Sequence, residues 1–445
     1  MLDKFKSSVR GLAGKVSDKA SEVNSKMAQK DSGSSDEQYI VALDIGTEFV
    51  KALIGKVVGD GLEIIGAGRH RQGLSDMQAG AIADIAGVVQ NCDKALAMAE
   101  QQSGISVRTA VIGIAGELVK GTTTTVRVSR KDAAKALDLT EMERIIKLVQ
   151  GRAETKAKQQ LTWELGGKEV EVRLVNSALV GIEIDGYKVT SPIGFQGKEV
   201  VVQLYTAFAP LIHIGALERT AQQLDLDLLA VAAEPFAVAR SVIGDDTSAS
   251  MNAILMDVGG GTTDIAVIKD GGVQGTKMFG IGGRAYTRAI ERDLNIEFGQ
   301  AETLKVELSA GRVPQNKAAA VEGALKKTLD VWTSGIELAL GEFDKLDHLP
   351  HKLLLCGGGS SLDMLMERLE SGGWYSELPF TRKPSVQHIH PDQVVGIVDK
   401  TGSVTDHTFI TAMGLLRVGL DTLQFSTTPE KSGSLRDKVD RALRV

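Results

Sequence analysis

The chain has 445 residues, of which 43% are apolar, 24% charged and only 4% aromatic, with a formal net charge of -6. Such a length points to roughly two to four domains with room for buried cores. The scarcity of aromatic residues argues against a base-stacking platform, and the negative balance leaves no basic footprint, so nucleic acid is not an expected partner.

Residues 1–30 open the chain with apolar positions at Leu2, Phe5, Val9, Leu12, Val16, Ala20, Val23 and Met27. Their steps of three and four predict an amphipathic helix. Lys4, Lys6, Arg10, Lys15, Lys19, Lys26 and Lys30 outweigh Asp3, Asp18 and Glu22, a pattern suited to an anionic membrane surface or a partner helix. "KDSGSSDEQ" (30–38) reads as a linker. No apolar run approaches a membrane span and no signal-peptide core precedes it, so a cytoplasmic protein with buried, reduced Cys92 and Cys356 is expected.

From Gln38 to about Leu423, β-branched runs such as "YIVALDI", "TAVIGIAG", "NAILMDVG" and "HKLLLCGG" alternate with helical patterns, an α/β signature. Residues 120–206 differ: the strand-like "TTTTVRVS" and "EVEVRLVNSALVGIEIDG" surround one helix at "TEMERIIKLVQGRAETKA", which reads as a small α+β insertion. A second polar linker, "FSTTPEKSGS", leads to "SLRDKVDRALRV" (434–445). There Ser434 and Asp437 fit a capping box, and Leu435, Val439 and Leu443 line one face.

The chemistry lies in a phrase written twice. "LDIGTEFVKALIG" and "MDVGGGTTDIAV" each deliver an apolar strand, an Asp and a Gly-Thr turn. Glycines let backbone approach a phosphate, and the N–H groups and Thr hydroxyl face its oxygens. The Asp can hold Mg²⁺ directly or through water. One such turn is as easily a hairpin; two, each opening an α/β half, imply a duplicated fold gripping one polyphosphate. Glu234, before Pro235, suits either a water-activating acid or a helix N-terminal carboxylate. The Gly357–Gly359 turn in "KLLLCGGGSSLDML" suits a base or phosphate, or simply close packing. Glu302 and Lys305, three apart, suit a ribose contact or a surface ion pair. "HIH" (388–390), with no further ligand set beside it, reads as ordinary strand or loop.

Together with "AEPFAVA" and "TAMGLL" (411–416), these motifs resemble the two phosphate, adenosine and connecting motifs of the actin-like ATPases, which include sugar kinases and DnaK chaperones. Within that superfamily the chain is most similar to the FtsA cell-division proteins, through "VIGIAGELVKG", "SPIGFQGKEVVV", "MFGIGGRAYTRAI" and "AETLKVELSAG" in order over about 39–421. The resemblance implies a duplicated, ribonuclease H-like two-lobe α/β fold with an FtsA-type insertion in the first lobe. Its expected segments are 1–38 (helix and linker), 39–119 and 207–245 (first lobe) and 120–206 (insertion). They continue with 246–285 and 346–424 (second-lobe core), 286–345 (helix-rich second-lobe subdomain) and 425–445 (linker and short helix).

The resemblance further implies ATP and Mg²⁺ as ligands. Asp44 and Asp257 would flank the metal, and Gly46, Thr47, Gly260, Gly261, Thr262 and Thr263 would cradle phosphates. Glu234 and Asp257 would be the catalytic pair, with Glu234 positioning water. Gly282, Gly283, Glu302, Lys305, Gly357, Gly358 and Gly359 would surround ribose and adenine. Asp264 reads as a turn cap. The implied role is a protofilament-forming, homopolymeric protein on the cytoplasmic face of the cell membrane that tethers FtsZ and recruits other division proteins, with slow ATP turnover at most. A PilM-like pilus adaptor and a small-molecule kinase are the alternatives. The chain departs from the FtsA pattern in a shorter stretch between Lys305 and Gly357, a region that helps dock the FtsZ tail. It departs also in carrying its longer amphipathic helix at the N-terminus.

Overall fold

The computed structural model describes residues 37–243 and 251–427, with side chains through Gln424. The predicted terminal helices at 1–30 and 434–445 lie outside the described residues. In chain order the first strands are β1 (Tyr39–Ile45), β2 (Phe49–Val58), β3 (Gly61–Arg71) and the short pair β4 (Met77–Gln78) and β5 (Ala81–Ile82). Helix α1 (Ile85–Ser103) follows, capped by the Asp84 carboxylate on the Ala86 N–H and closed at Gly104 in a left-handed conformation. Next come β6 (Thr109–Ile114), β7 (Lys120–Ser129), α2 (Leu139–Glu164), β8 (Val172–Ile184), β9 (Tyr187–Lys188) and β10 (Glu199–Pro210). Then follow α3 (Leu211–Gln223), β11 (Asp227–Ala233) and α4 (Glu234–Ile243). The second half holds β12 (Ala253–Val258), β13 (Thr263–Lys269), β14 (Gly272–Phe279), α5 (Gly283–Leu294), α6 (Phe298–Ser309) and α7 (Gln315–Gly341). It ends with β15 (Lys352–Cys356), α8 (Asp363–Ser371), β16 (Ser385–His388), β17 (Ile397–Asp399) and α9 (Ile410–Thr427).

The duplication expected from the repeated phrase is present in the topology. One sheet runs β11-β6-β1-β2-β3-β17, and the other contains β16-β15-β12-β13-β14. In each, the first three strands form an antiparallel meander (β1-β2-β3; β12-β13-β14). In each, the fourth and fifth strands add in parallel on the far side of the first (β6, β11; β15, β16). The central strands read as continuous apolar runs because both faces are covered: β12 is buried along its whole length.

Two segments cross between the lobes in a way the sequence does not display. The inserted strands β7, β10, β8 and β9 extend the second sheet, not the first, through Gly275↔Thr122 and Thr276↔Gly121. The expected second-lobe segment 346–424 also divides. Residues through His388 belong to the second sheet, whereas β17 pairs in parallel with β3. Helix α9 then packs with the first-lobe core, where Ile410, Leu415, Leu416 and Leu420 are fully buried. The physical reason is apolar pairing: α9 carries too many buried aliphatics for one face of the second sheet, and β1 and α4 supply the cover. At the α4–α9 crossing, a Cβ on Gly414 would lie 2.4 Å from the Ala237 carbonyl oxygen, so only glycine permits this approach.

Candidate functional site

The two Asp-Gly-Thr turns end β1 and β12 and meet face to face. A Cβ on Gly261 would fall 2.6 Å from Thr47 Oγ1, and one on Gly260 would fall 2.8 Å from Glu48 Cβ. The turns bound a cavity of about 320 Å³, a size at the lower end of small-ligand sites. Asp44, Gly46, Thr47, Glu234, Asp257, Gly260, Thr262, Gly283, Glu302, Lys305 and Gly357 to Gly359 all line it. The structure thus brings together residues from both phosphate turns, the Glu234 segment, the Glu302–Lys305 pair and the Gly357–Gly359 turn.

Three expected contacts are not in the cavity wall, and each has a local reason. Gly261 faces Thr47, and Gly282 packs beneath the second turn, where a Cβ would lie 2.6 Å from the Gly259 oxygen. Thr263 already belongs to β13 and is fully buried. Its hydroxyl donates to the Ile281 carbonyl at 2.7 Å and accepts from Trp332 Nε1 at 2.9 Å. It holds the second-lobe core together and has no hydroxyl left for a phosphate.

The floor is acidic. Asp44, Asp257, Asp264 and Glu234 are each at least nine-tenths buried. Burial, reinforced by the charges of Asp44, Asp264 and Asp257, holds the Glu234 carboxyl well above its ordinary range. Asp264 is likewise raised, by burial and then by Asp257. Asp257 is raised by burial, against the opposing hydrogen bond from the Thr411 hydroxyl of α9. The Asp264 carboxylate accepts from Thr262 Oγ1 at 3.2 Å. Its second oxygen, Oδ1, is buried with no hydrogen-bond donor among the described residues, and Asp264 lines the cavity. Asp44, Asp257 and Asp264 thus all line the cavity, although among the described residues no three such side chains come close enough together to hold a metal ion by themselves.

Lys51 is the residue the sequence reading passed over. Sitting in β2 opposite Asp44 in register, it places Nζ 2.8 Å from Asp44 Oδ2. Burial pulls its pKa down, but the Asp44 carboxylate more than compensates, so it stays above the ordinary lysine value. Glu302 and Lys305 form an ion pair at 2.8 Å that is not a surface pair. Lys305 is buried and donates to the Gly283 carbonyl at 3.0 Å and Thr287 Oγ1 at 2.8 Å, pinning α6 to the start of α5 beside the second turn. Gly357, at φ 81°, would set a Cβ 2.0 Å from Asp257 Oδ1, which accounts for a glycine where β15 delivers its turn to the floor. Behind that turn, the rings of His388 and His407 stack 3.9 Å apart. Burial and the neighbouring His388 push His407 down to about 4, and its Nε2 is hydrogen-bonded to Ser361 Oγ at 3.0 Å.

Residues 254–414, which include the second turn, Lys305 and Gly357–Gly359, match the family described as Cell division protein FtsA. Across 418 residues the chain is 25% identical to the cell division protein FtsA of Pseudomonas aeruginosa, spanning 89% of this chain and 93% of that protein. The chain is thus similar to an FtsA protein over nearly its whole length. FtsA of Bacillus subtilis is 26% identical over 61% of this chain and 58% of its own length. Among solved structures, a chain of the "PilM-PilN type IV pilus biogenesis complex" superposes with a TM-score of 0.62 at 17% identity, covering 86% of this chain and 98% of that one. That likeness is one of fold, and it agrees with a two-lobe actin-like architecture. The matched segment takes in Asp257, Asp264 and Thr411 from the acidic floor, whereas Asp44 and Glu234 lie outside it.

Proposed function

We propose that the cleft binds ATP with Mg²⁺ and that the chain serves as an FtsA-like scaffold of cell division at the cytoplasmic face of the membrane. The observation that carries this reading is the pair of Asp-Gly-Thr turns on mirrored sheets, meeting over buried Asp44, Asp257 and Asp264. Main-chain N–H groups of both turns and the Thr47 hydroxyl bind the phosphates, and Lys51 neutralises their charge. Asp44 and Asp257 would hold a Mg²⁺ together with the phosphates, and the ion would offset phosphate charge. Glu234 opens α4 at the base of the cleft and orients a water towards the terminal phosphate. Burial holds its carboxyl above the ordinary glutamate range.

The scaffold part of the proposal rests on the FtsA relationship and on the basic amphipathic pattern of 1–30 with the shorter one at 434–445. In this reading the two lobes stack into protofilaments, the terminal segments lie on anionic lipid, and FtsZ and later division proteins are the partners. The test is sedimentation with anionic vesicles, ATP, Mg²⁺ and FtsZ. Full-length protein should carry FtsZ to the vesicles, and removal of 1–30 and 434–445 should abolish that. Failure of the full-length protein to bring FtsZ down would overturn the scaffold reading.

A further inference from the structure

The first turn departs from a plain Gly-Thr turn by continuing with Glu48-Phe49. The Glu48 carboxylate spans the cleft: Oε2 accepts from Arg284 Nε at 2.8 Å, while Oε1 accepts from Arg71 Nε at 2.7 Å. Arg71 lies in the same lobe as Glu48, at the end of β3, and its side chain is half exposed. Arg284 belongs to the other lobe, in the first turn of α5, and both it and Glu48 have side chains only 14% exposed. Arg284 also donates through Nη1 to the Leu74 carbonyl at 3.2 Å. The loop carrying Leu74 is itself fixed, because Asp76 accepts from the Gly73 N–H and from Asn91 Nδ2, each at 2.8 Å.

The main chain of Arg284 completes the arrangement. Its N–H donates to the Gly260 carbonyl at 2.8 Å, and Gly260 is the residue on which Glu48 rests. One residue therefore holds the second phosphate turn by its backbone and the first by its side chain. With the turns in van der Waals contact, a polyphosphate passes between them only when the lobes part, and parting breaks the Glu48–Arg284 pair. Because the pair is shielded, breaking it costs more than breaking an exposed ion pair. Another tie across the same rim, Gly280 N–H to Glu117 Oε1 at 2.6 Å, keeps the lobes assembled without it.

We infer that the Glu48–Arg284 ion pair is an interlobe latch that sets how fast nucleotide enters and leaves the cleft. The inference rests on the ATP-binding reading above. A latch of this kind changes opening and closing more than it changes the closed site, so it acts on both rate constants together and little on their ratio.

Stopped-flow association and displacement of a fluorescent ATP analogue with Mg²⁺, on full-length protein, tests this. Glu48→Gln and Arg284→Gln should each raise both rate constants by about tenfold, with the dissociation constant moving less than about threefold. The double variant should be faster by less than the product of the two single effects, because the Glu48–Arg284 contact is lost in all three while removing Arg284 also releases Leu74 and Gly73. Arg71→Gln, which touches Glu48 from the same lobe, should leave both rates near wild type. Unchanged rates in Glu48→Gln, or an equal acceleration in Arg71→Gln, would overturn the latch. If the wild-type protein binds no analogue, the ATP reading fails instead. The latch is then read by amide hydrogen exchange at 46–49 and 259–262 without nucleotide: faster exchange in Glu48→Gln and Arg284→Gln than in Arg71→Gln supports it, and equal exchange contradicts it.

Discussion

Lys51 Nζ sits 2.8 Å from Asp44 Oδ2 on neighbouring strands of the first lobe, both side chains shielded, at the base of the first phosphate turn. Removing one partner of a buried pair leaves the other charge uncompensated, at a cost of about 3 kcal/mol. Lys51→Ala should therefore lower stability by about that amount and weaken ATP at least tenfold. Lys51→Ala combined with Asp44→Ala should recover part of the stability but none of the affinity. Denaturant melts and titration calorimetry on the single and double variants check both statements.

The acidic floor makes stability depend on pH in a stated direction. Glu234, Asp264 and Asp257 are raised in the folded protein, so the native state holds protons that the unfolded chain releases. Their contribution is most favourable below the ordinary carboxylate range and is lost as pH rises through the folded values. The part of the stability that these three carboxylates supply should fall as pH rises above the ordinary carboxylate range, while lowered His407 works in the opposite direction up to the ordinary histidine range. Glu234→Gln should raise the melting temperature at pH 8 by about 2 °C or more, with a smaller gain at pH 5. A gain that does not shrink at pH 5 would contradict the assignment.

Divalent cation should act where the unpartnered Asp264 oxygen lies. Mg²⁺ should stabilise the protein more at pH 8 than at pH 5, because it binds the carboxylates in their charged form. Asp264→Asn should remove most of that stabilisation while itself raising stability without metal. Thermal shift measurements over a Mg²⁺ series in both variants decide the matter.

Gly414 tests the crossing of the two connecting helices. A methyl there meets the Ala237 carbonyl at 2.4 Å, and backbone cannot yield as a side chain can. Gly414→Ala should destabilise the protein by about 1–3 kcal/mol although it touches no ligand. Equilibrium unfolding measures it.

Much of this site was legible in the sequence because its determinants are local. Asp44, Gly46 and Thr47, or Asp257, Gly260 and Thr262, lie within a few residues of each other and need only a strand and a turn to act together. The misplacement of Thr263 has a simple origin in strand periodicity. Once β13 begins, alternate residues face opposite sides, so Thr262 and Asp264 share the cleft face and Thr263 points into the core. Applying that alternation to "GGTTD" would have moved Asp264 from turn cap to cleft floor. Lys51 required the register of β1 against β2, and Arg284 reaches Glu48 across 236 residues, so neither was visible from spacing. The return of β17 and α9 to the first lobe was hidden for the same reason: apolar patterning says that a helix is buried, not against which sheet.

The central claim is that the two facing turns and their carboxylate floor form one Mg²⁺–ATP site. Calorimetric titration of full-length protein with ATP, with and without Mg²⁺, in wild type and in Asp257→Asn tests it most directly. The account predicts saturable binding at one site per chain that weakens at least tenfold without Mg²⁺ or in Asp257→Asn. Absence of binding by the wild-type protein, or binding indifferent both to Mg²⁺ and to Asp257, would contradict it.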